Sequence, residues 1–139
     1  MSTVALIVCE TCRHPDDPLE DHSGTPLPRS GETLLALVQQ RLADDPDVSV
    51  EGMRCLMACR RPCAVHLRAA DRIAYVLGDF PPDDSSVETL AEYIRHYHAS
   101  PDGVVPFKDW PQGVKGRFIA RIPPLPPASS ALAADDAQD

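Results

Sequence analysis

The sequence has little positive charge, few aromatic residues and no long apolar run. Thirteen Lys and Arg stand against 21 Asp and Glu, which leaves a formal net charge of -8. Because nucleic-acid binding depends on cationic neutralisation of phosphates, this balance argues against DNA or RNA as a partner. No stretch approaches the roughly 20 apolar residues of a membrane span, so no membrane partner is expected either.

Motifs for catalysis are missing as well. The chain has no Gly-rich phosphate loop, no defensible Ser/His/Asp order and no isolated acid pair in an apolar setting. We therefore favour an electron carrier or a metal-binding protein over an enzyme. The apolar start, Met-Ser-Thr-Val-Ala-Leu-Ile-Val, lacks the basic region and cleavage site of a signal peptide. We expect a cytoplasmic protein whose thiols stay reduced, so structural disulfides are the weaker explanation for its cysteines.

Five cysteines carry most of the chemical information. Cys9 and Cys12 form one group, and Cys55, Cys59 and Cys63 form a second group much further along the chain. Two close groups separated by a helix-sized interval indicate one site built from two loops. Four thiolates that meet in space are typical of a zinc or an iron–sulfur site.

The charge around the cysteines supports a thiolate site. Residues 52–70 contain no Asp or Glu. The arginines in this segment or beside Cys12 are Arg13, Arg54, Arg60, Arg61 and Arg68. Nearby guanidinium groups lower the pKa of thiols and offset the negative charge of a cluster, so we expect Arg13, Arg54, Arg60 and Arg61 to surround the site. The alternative is that these arginines are ordinary solvated surface.

Hydrophobic patterns predict the element order β, α, β, β, β, α. Strands are expected at residues 3–8, 48–53, 64–67 and 72–77, with helices beginning near residues 31 and 86. The first cysteine pair follows the first strand, and Cys55 follows the second. Ligand loops of open sheets commonly lie at such strand ends.

Composition divides the chain into three segments. Residues 1–100 hold the predicted elements. Residues 101–127 form a Pro-rich extension, and its apolar residues, among them Phe107, Trp110 and Phe118, indicate that it packs on the body. Residues 128–139 are small and acidic, and we expect them to be disordered.

The element order and the stretch Cys55-Leu56-Met57-Ala58-Cys59-Arg60-Arg61-Pro62-Cys63-Ala64-Val65 resemble the thioredoxin-like [2Fe–2S] ferredoxins, a group that includes the small iron–sulfur subunit of respiratory complex I. This resemblance implies an α/β, thioredoxin-like mixed sheet. It also implies a [2Fe–2S] cluster on Cys9, Cys12, Cys55 and Cys59, with one-electron transfer to a protein redox partner, or redox or iron sensing. Two features depart from that pattern: the first pair is unusually close, and Cys63 is an extra thiol.

The whole chain is more similar still to a bacterial family called domain of unknown function 1636. Its members are described as predicted metal-binding proteins and are linked with cobalamin-related or CobW-type genes. The matching segments, which cover most of residues 3–124, are Cys9-Glu10-Thr11-Cys12-Arg13, Cys55 through Leu67, Tyr75-Val76-Leu77-Gly78-Asp79 and Arg121-Ile122-Pro123-Pro124. This resemblance implies, as the alternative, a zinc-binding or metal-handling protein that serves a CobW-type metallochaperone.

Cysteine spacing alone does not choose between zinc and an iron–sulfur cluster, because both accept four thiolates. Cys9 and Cys12 are also compatible with a thiol–disulfide oxidoreductase, although the thioredoxin motif opens a helix and this pair opens a Pro-rich loop. Cys63 is either a buried small hydrophobe or a spare ligand. The oligomeric state is open, with a homodimer among the alternatives.

Overall fold

The computed structural model describes residues 3–125, and within them it forms one five-stranded sheet with two helices. The strands are β1 (Val4–Cys9), β2 (Val48–Met53), β3 (Val65–Ala69), β4 (Ala74–Leu77) and β5 (Phe118–Ile122), and the helices are α1 (Ser30–Arg41) and α2 (Asp84–Ala99). The sheet order is β2-β1-β3-β4-β5. β1 and β2 are parallel, and the other neighbouring strands are antiparallel. The predicted β-α-β-β-β-α order and the mixed sheet are confirmed.

Alternating side chains of the strands build the core. Val4, Leu6 and Val8 of β1 are fully buried, as the period of two along a strand requires when helices cover one face. The helical residues that share this core are Leu34, Val38, Leu90, Tyr93, Ile94 and Tyr97. Within residues 3–125, neither helix is long and apolar enough to cross a membrane.

Helix α1 begins directly against the end of β1, and a glycine permits this approach. A Cβ on Gly31 would overlap the carbonyl oxygen of Cys9 and would lie 3.0 Å from the carbonyl carbons of Cys9 and Glu10. The backbone N–H of Gly31 donates a hydrogen bond to the carbonyl of Cys12, at 3.0 Å. The start of the helix is therefore fixed to the turn that carries the first two cysteines.

The Pro-rich extension packs on the body, as predicted, but it also contributes a strand that the sequence analysis did not predict. Two short 3-10 turns, Phe107–Asp109 and Gln112–Val114, precede β5, which pairs with β4 at the edge of the sheet. Trp110 donates its indole N–H to the carbonyl of Val105 at 2.9 Å, and its ring centroid lies 4.7 Å from that of Phe118. Residues 126–127 and the predicted disordered segment lie outside the described residues, so the division into three segments stays a prediction.

Candidate metal centre

Strand register brings all five cysteines to one end of the sheet. Because β1 and β2 are parallel, Cys9 lies beside Met53, and Cys55 follows two residues beyond. The N–H of Cys9 also donates to the carbonyl of Ala64 at 3.0 Å, which places Cys63 close to Cys9. Two separate loops therefore supply thiols to the same edge, where the carboxyl ends of parallel strands commonly form sites.

A cavity of about 230 Å³ lies at this edge. Its lining residues are Cys9, Thr11, Cys12, Arg13, Cys59 and Pro62. Three of the four predicted ligands therefore share one cavity. The fourth, Cys55, is half-buried, and its sulfur accepts a hydrogen bond from the N–H of Met57 at 3.2 Å.

The loop between Cys55 and Cys59 turns sharply at Met57. Met57 has a φ of 58°, in the left-handed region that residues other than glycine seldom adopt. Its side chain is 87% exposed, so the strained residue forms the outer surface of the loop. Backbone strain of this kind is often found at functional sites.

The thiols differ strongly in burial. Cys9 is 2% exposed, Cys12 is 6% exposed and Cys63 is fully buried, whereas Cys59 is exposed. All five are free cysteines. Within residues 3–125, no three Cys, His, Asp or Glu side chains surround a single ion position. A binuclear cluster spreads its four thiolates over two irons, so its ligands need not converge on one point.

The thiols of Cys9 and Cys12 shift each other's pKa. Burial raises the pKa of the Cys9 thiol, but hydrogen bonds from the Cys12 side chain, the Leu56 backbone and Thr11 outweigh it, so the net pKa is lowered. Burial, together with the hydrogen bond to Cys9, raises the pKa of Cys12 to about 12. These hydrogen bonds favour the charged form of Cys9, and burial favours the neutral form of Cys12.

Cys63 lies behind the pair rather than at the cavity wall. Burial raises the pKa of its thiol to about 11, and the charge of Asp17 adds to this effect. The neighbouring Ser30 donates its hydroxyl to Asp17 at 2.7 Å and accepts the backbone N–H of His14 at 2.8 Å. Cys63 therefore sits against a hydrogen-bonded segment that anchors the loop after Cys12, as a small buried side chain would.

The four arginines that were expected around the site have different environments in the structure. Arg13 lines the thiol cavity, and its Nη1 atom is buried without a hydrogen-bond partner among the described residues. Arg61 instead pairs with Asp79, at 2.6 Å between Nε and Oδ2, and is not among the residues that line the cavity. Arg54 and Arg60 are exposed. The buried thiols and the unpaired donor of Arg13 fit a thiolate-bound group of negative charge.

Thr11 is a site residue that the sequence analysis missed. Its hydroxyl donates to the backbone carbonyl of Arg54, and its oxygen lies 3.7 Å from the sulfur of Cys9. Thr11 therefore ties the two thiol-bearing loops together. The available signal was its position between Cys9 and Cys12.

The depth of the first pair disfavours a thiol–disulfide oxidoreductase. A nucleophilic thiol must reach a disulfide of another protein, and reactive cysteines are partially exposed. Neither Cys9 nor Cys12 is more than 6% exposed. The motif also leads into the irregular segment before α1, as the sequence predicted, rather than opening a helix.

The sheet, the two helices and the cysteine-lined cavity define a thioredoxin-like α/β protein with its candidate site at the carboxyl ends of β1 and β2. The chain belongs to the family described as Protein of unknown function (DUF1636), whose model matches residues 6–124.

In structure the chain is similar to a thioredoxin-like [2Fe–2S] ferredoxin from Aquifex aeolicus. The TM-score is 0.53 and the sequence identity is 16%, and the match covers 91% of this chain and 96% of that chain. At this identity the likeness shows the fold, and the predicted thioredoxin-like class is confirmed. No curated protein matches the chain.

Proposed function

We propose that this protein holds a [2Fe–2S] cluster on Cys9, Cys12, Cys55 and Cys59 and passes single electrons to a protein partner. The observation that carries the proposal is the shared cavity, where Cys9 and Cys12 are buried and Cys59 reaches the same space from the other loop. Four cysteine thiolates are the common ligand set of such clusters. The similar Aquifex aeolicus structure is named as a [2Fe–2S] ferredoxin, which supports the same assignment.

The two sides of the site differ in their exposure to solvent. Cys9 and Cys12 lie on the buried side, where burial excludes water. Cys55 and Cys59 lie on the loop side, where Cys59 is exposed and gives a partner a short path to the site. A bound cluster would supply one-electron chemistry, and the chain's residues would supply its ligands, its counter-charge and its solvent boundary.

The first test is the composition of protein purified without oxygen. We expect visible absorption together with equal amounts of iron and acid-labile sulfide. Cys55→Ser should bleach the protein because it removes a ligand from the exposed loop. The matched control is Cys63→Ala, which removes a thiol of the same segment and should leave iron and sulfide content unchanged.

Two outcomes would contradict the proposal. A colourless protein with one zinc per chain would favour the metal-handling alternative. Bleaching by Cys63→Ala with retention of colour in Cys55→Ser would show that a different set of thiols binds the cluster.

A further inference from the structure

Arg13 has a buried polar atom with no partner in the structure. Its Nη1 atom is shielded from solvent, and among residues 3–125 it meets no hydrogen-bond acceptor. A buried donor of a charged group without an acceptor is costly, and native structures seldom keep one without a reason. Arg13 also lines the cavity that holds Cys9, Cys12 and Cys59. The unpaired donor therefore belongs to the same site as the thiols.

The other nearby guanidinium groups do not have this property. Arg61 is satisfied by Asp79 and by the backbone carbonyls of Phe118 and Gly116, at 3.1 and 2.5 Å. Arg54 and Arg60 are exposed, so water solvates and screens their charges. Arg13 alone among these four combines a place in the cavity wall, burial of a donor atom and the lack of an acceptor.

We propose that Arg13 is the internal counter-charge of the cluster, donates a hydrogen bond to one of its sulfur atoms and thereby raises its reduction potential. This inference rests on the proposed function. Reduction adds one negative charge to the cluster, and a fixed positive charge nearby stabilises that state more than the oxidised one. Hydrogen bonds to the sulfur atoms and the local charge are among the factors that set the potentials of iron–sulfur clusters.

The first experiment measures the midpoint potential of the cluster in wild-type protein, Arg13→Gln and Arg60→Gln. Both variants lose one positive charge in the same region, but only Arg13 lines the cavity and has a buried donor atom. We expect Arg13→Gln to shift the one-electron equilibrium toward the oxidised form by at least about tenfold, which corresponds to a potential lower by about 59 mV. Arg60→Gln should change the potential little, and any effect should vanish at high salt because the charge is exposed.

Iron and sulfide assays on the same samples distinguish failure of the Arg13 inference from failure of the proposed function. Full iron and sulfide content in all three proteins with an unchanged potential in Arg13→Gln would overturn this inference alone. A wild-type protein that binds neither iron nor sulfide would overturn the proposed function, and the inference with it. An equal shift in Arg60→Gln would show a general effect of surface charge and would also overturn the inference.

A second experiment needs no cluster. In the apoprotein, Arg13→Met keeps the apolar part of the side chain and removes the buried donor atom that has no acceptor, so its urea midpoint should rise above that of the wild type. The loaded variant should lose its cluster several-fold faster than the wild type, because the counter-charge is gone. A lower urea midpoint for the apo variant would show that Arg13 is already satisfied by the protein itself, which would overturn the proposal.

Discussion

Replacement of Gly31 by alanine tests whether the start of α1 fixes the first cysteine pair. The added Cβ would overlap the carbonyl oxygen of Cys9, and backbone atoms cannot rotate away as a side chain can. The helix would therefore have to move off the end of β1. Such a movement would also break the hydrogen bond from the Gly31 N–H to the carbonyl of Cys12.

The expected loss of stability follows from three contributions. Overpacking against backbone costs about 3 kcal/mol, at the upper end of the usual range. Loss of the hydrogen bond adds about 1 kcal/mol. The higher helix propensity of alanine than of glycine offsets about 1 kcal/mol of this loss. We therefore expect the free energy of unfolding to fall by about 3 kcal/mol.

Urea denaturation of the apoprotein measures this loss as a lower midpoint with an unchanged m-value. The matched control is Gly113→Ala, whose Cβ would meet the side chain of Thr89 rather than backbone and should cost less. Iron content after purification without oxygen should fall in Gly31→Ala and not in the control. A Gly31→Ala protein within about 0.5 kcal/mol of the wild type would refute the reasoning, since ordinary surface substitutions have effects of that size.

Three further predictions follow from the described contacts. Arg61→Ala should lower the free energy of unfolding by about 1–2 kcal/mol, because an ion pair and two carbonyl hydrogen bonds are lost. The control, Arg60→Ala, should change it by less than about 0.5 kcal/mol. Urea midpoints measure both variants, and equal effects would contradict this prediction. In the apoprotein, alkylation followed by peptide mass spectrometry should modify Cys59 first and Cys63 only on unfolding, and early labelling of Cys63 would argue against its burial. Tyr97→Phe removes a buried hydroxyl that donates to the carbonyl of Ile73 at 2.7 Å, so the free energy of unfolding should fall by about 1 kcal/mol. Thermal unfolding measures this loss. A variant as stable as the wild type would show that the hydrogen bond contributes nothing.

The order of elements could be predicted because most of them have strong local patterns. An aliphatic run predicted β1, and the predicted bounds of β2, residues 48–53, agree with the structure. β5 was missed although it contains Phe118 and Ile119: it lies at the edge of the sheet, four of its five residues are exposed, and it pairs with β4. An edge strand of this kind depends on tertiary contacts that a single sequence does not display.

The sequence predicted that two loops meet at the candidate site, but it did not predict how deeply each cysteine is buried. Spacing placed Cys9 and Cys55 at the ends of two strands, and the parallel register of β1 and β2 brings those ends together. Spacing could not say that Cys63 is fully buried while Cys59 is exposed. That difference depends on how the segment between β2 and β3 folds back on the loop after Cys12. The ligand role of these thiols stays a prediction.

The arginines show most clearly what local sequence cannot supply. Arg61 lies two residues from Cys59, and its acceptors, the carbonyls of Gly116 and Phe118, come 55 and 57 residues later in the chain. These long-range contacts hold the guanidinium group of Arg61 against the extension. Arg13 finds no such acceptor for its buried Nη1 atom and stays at the cavity. The distance along the sequence between an arginine and a cysteine does not fix where the guanidinium group lies. Its position in the fold depends on which hydrogen-bond acceptors are available. Of the four arginines, Arg13 is the one that lines the cavity, so the proposed electrostatics of the site should be tested at this residue first.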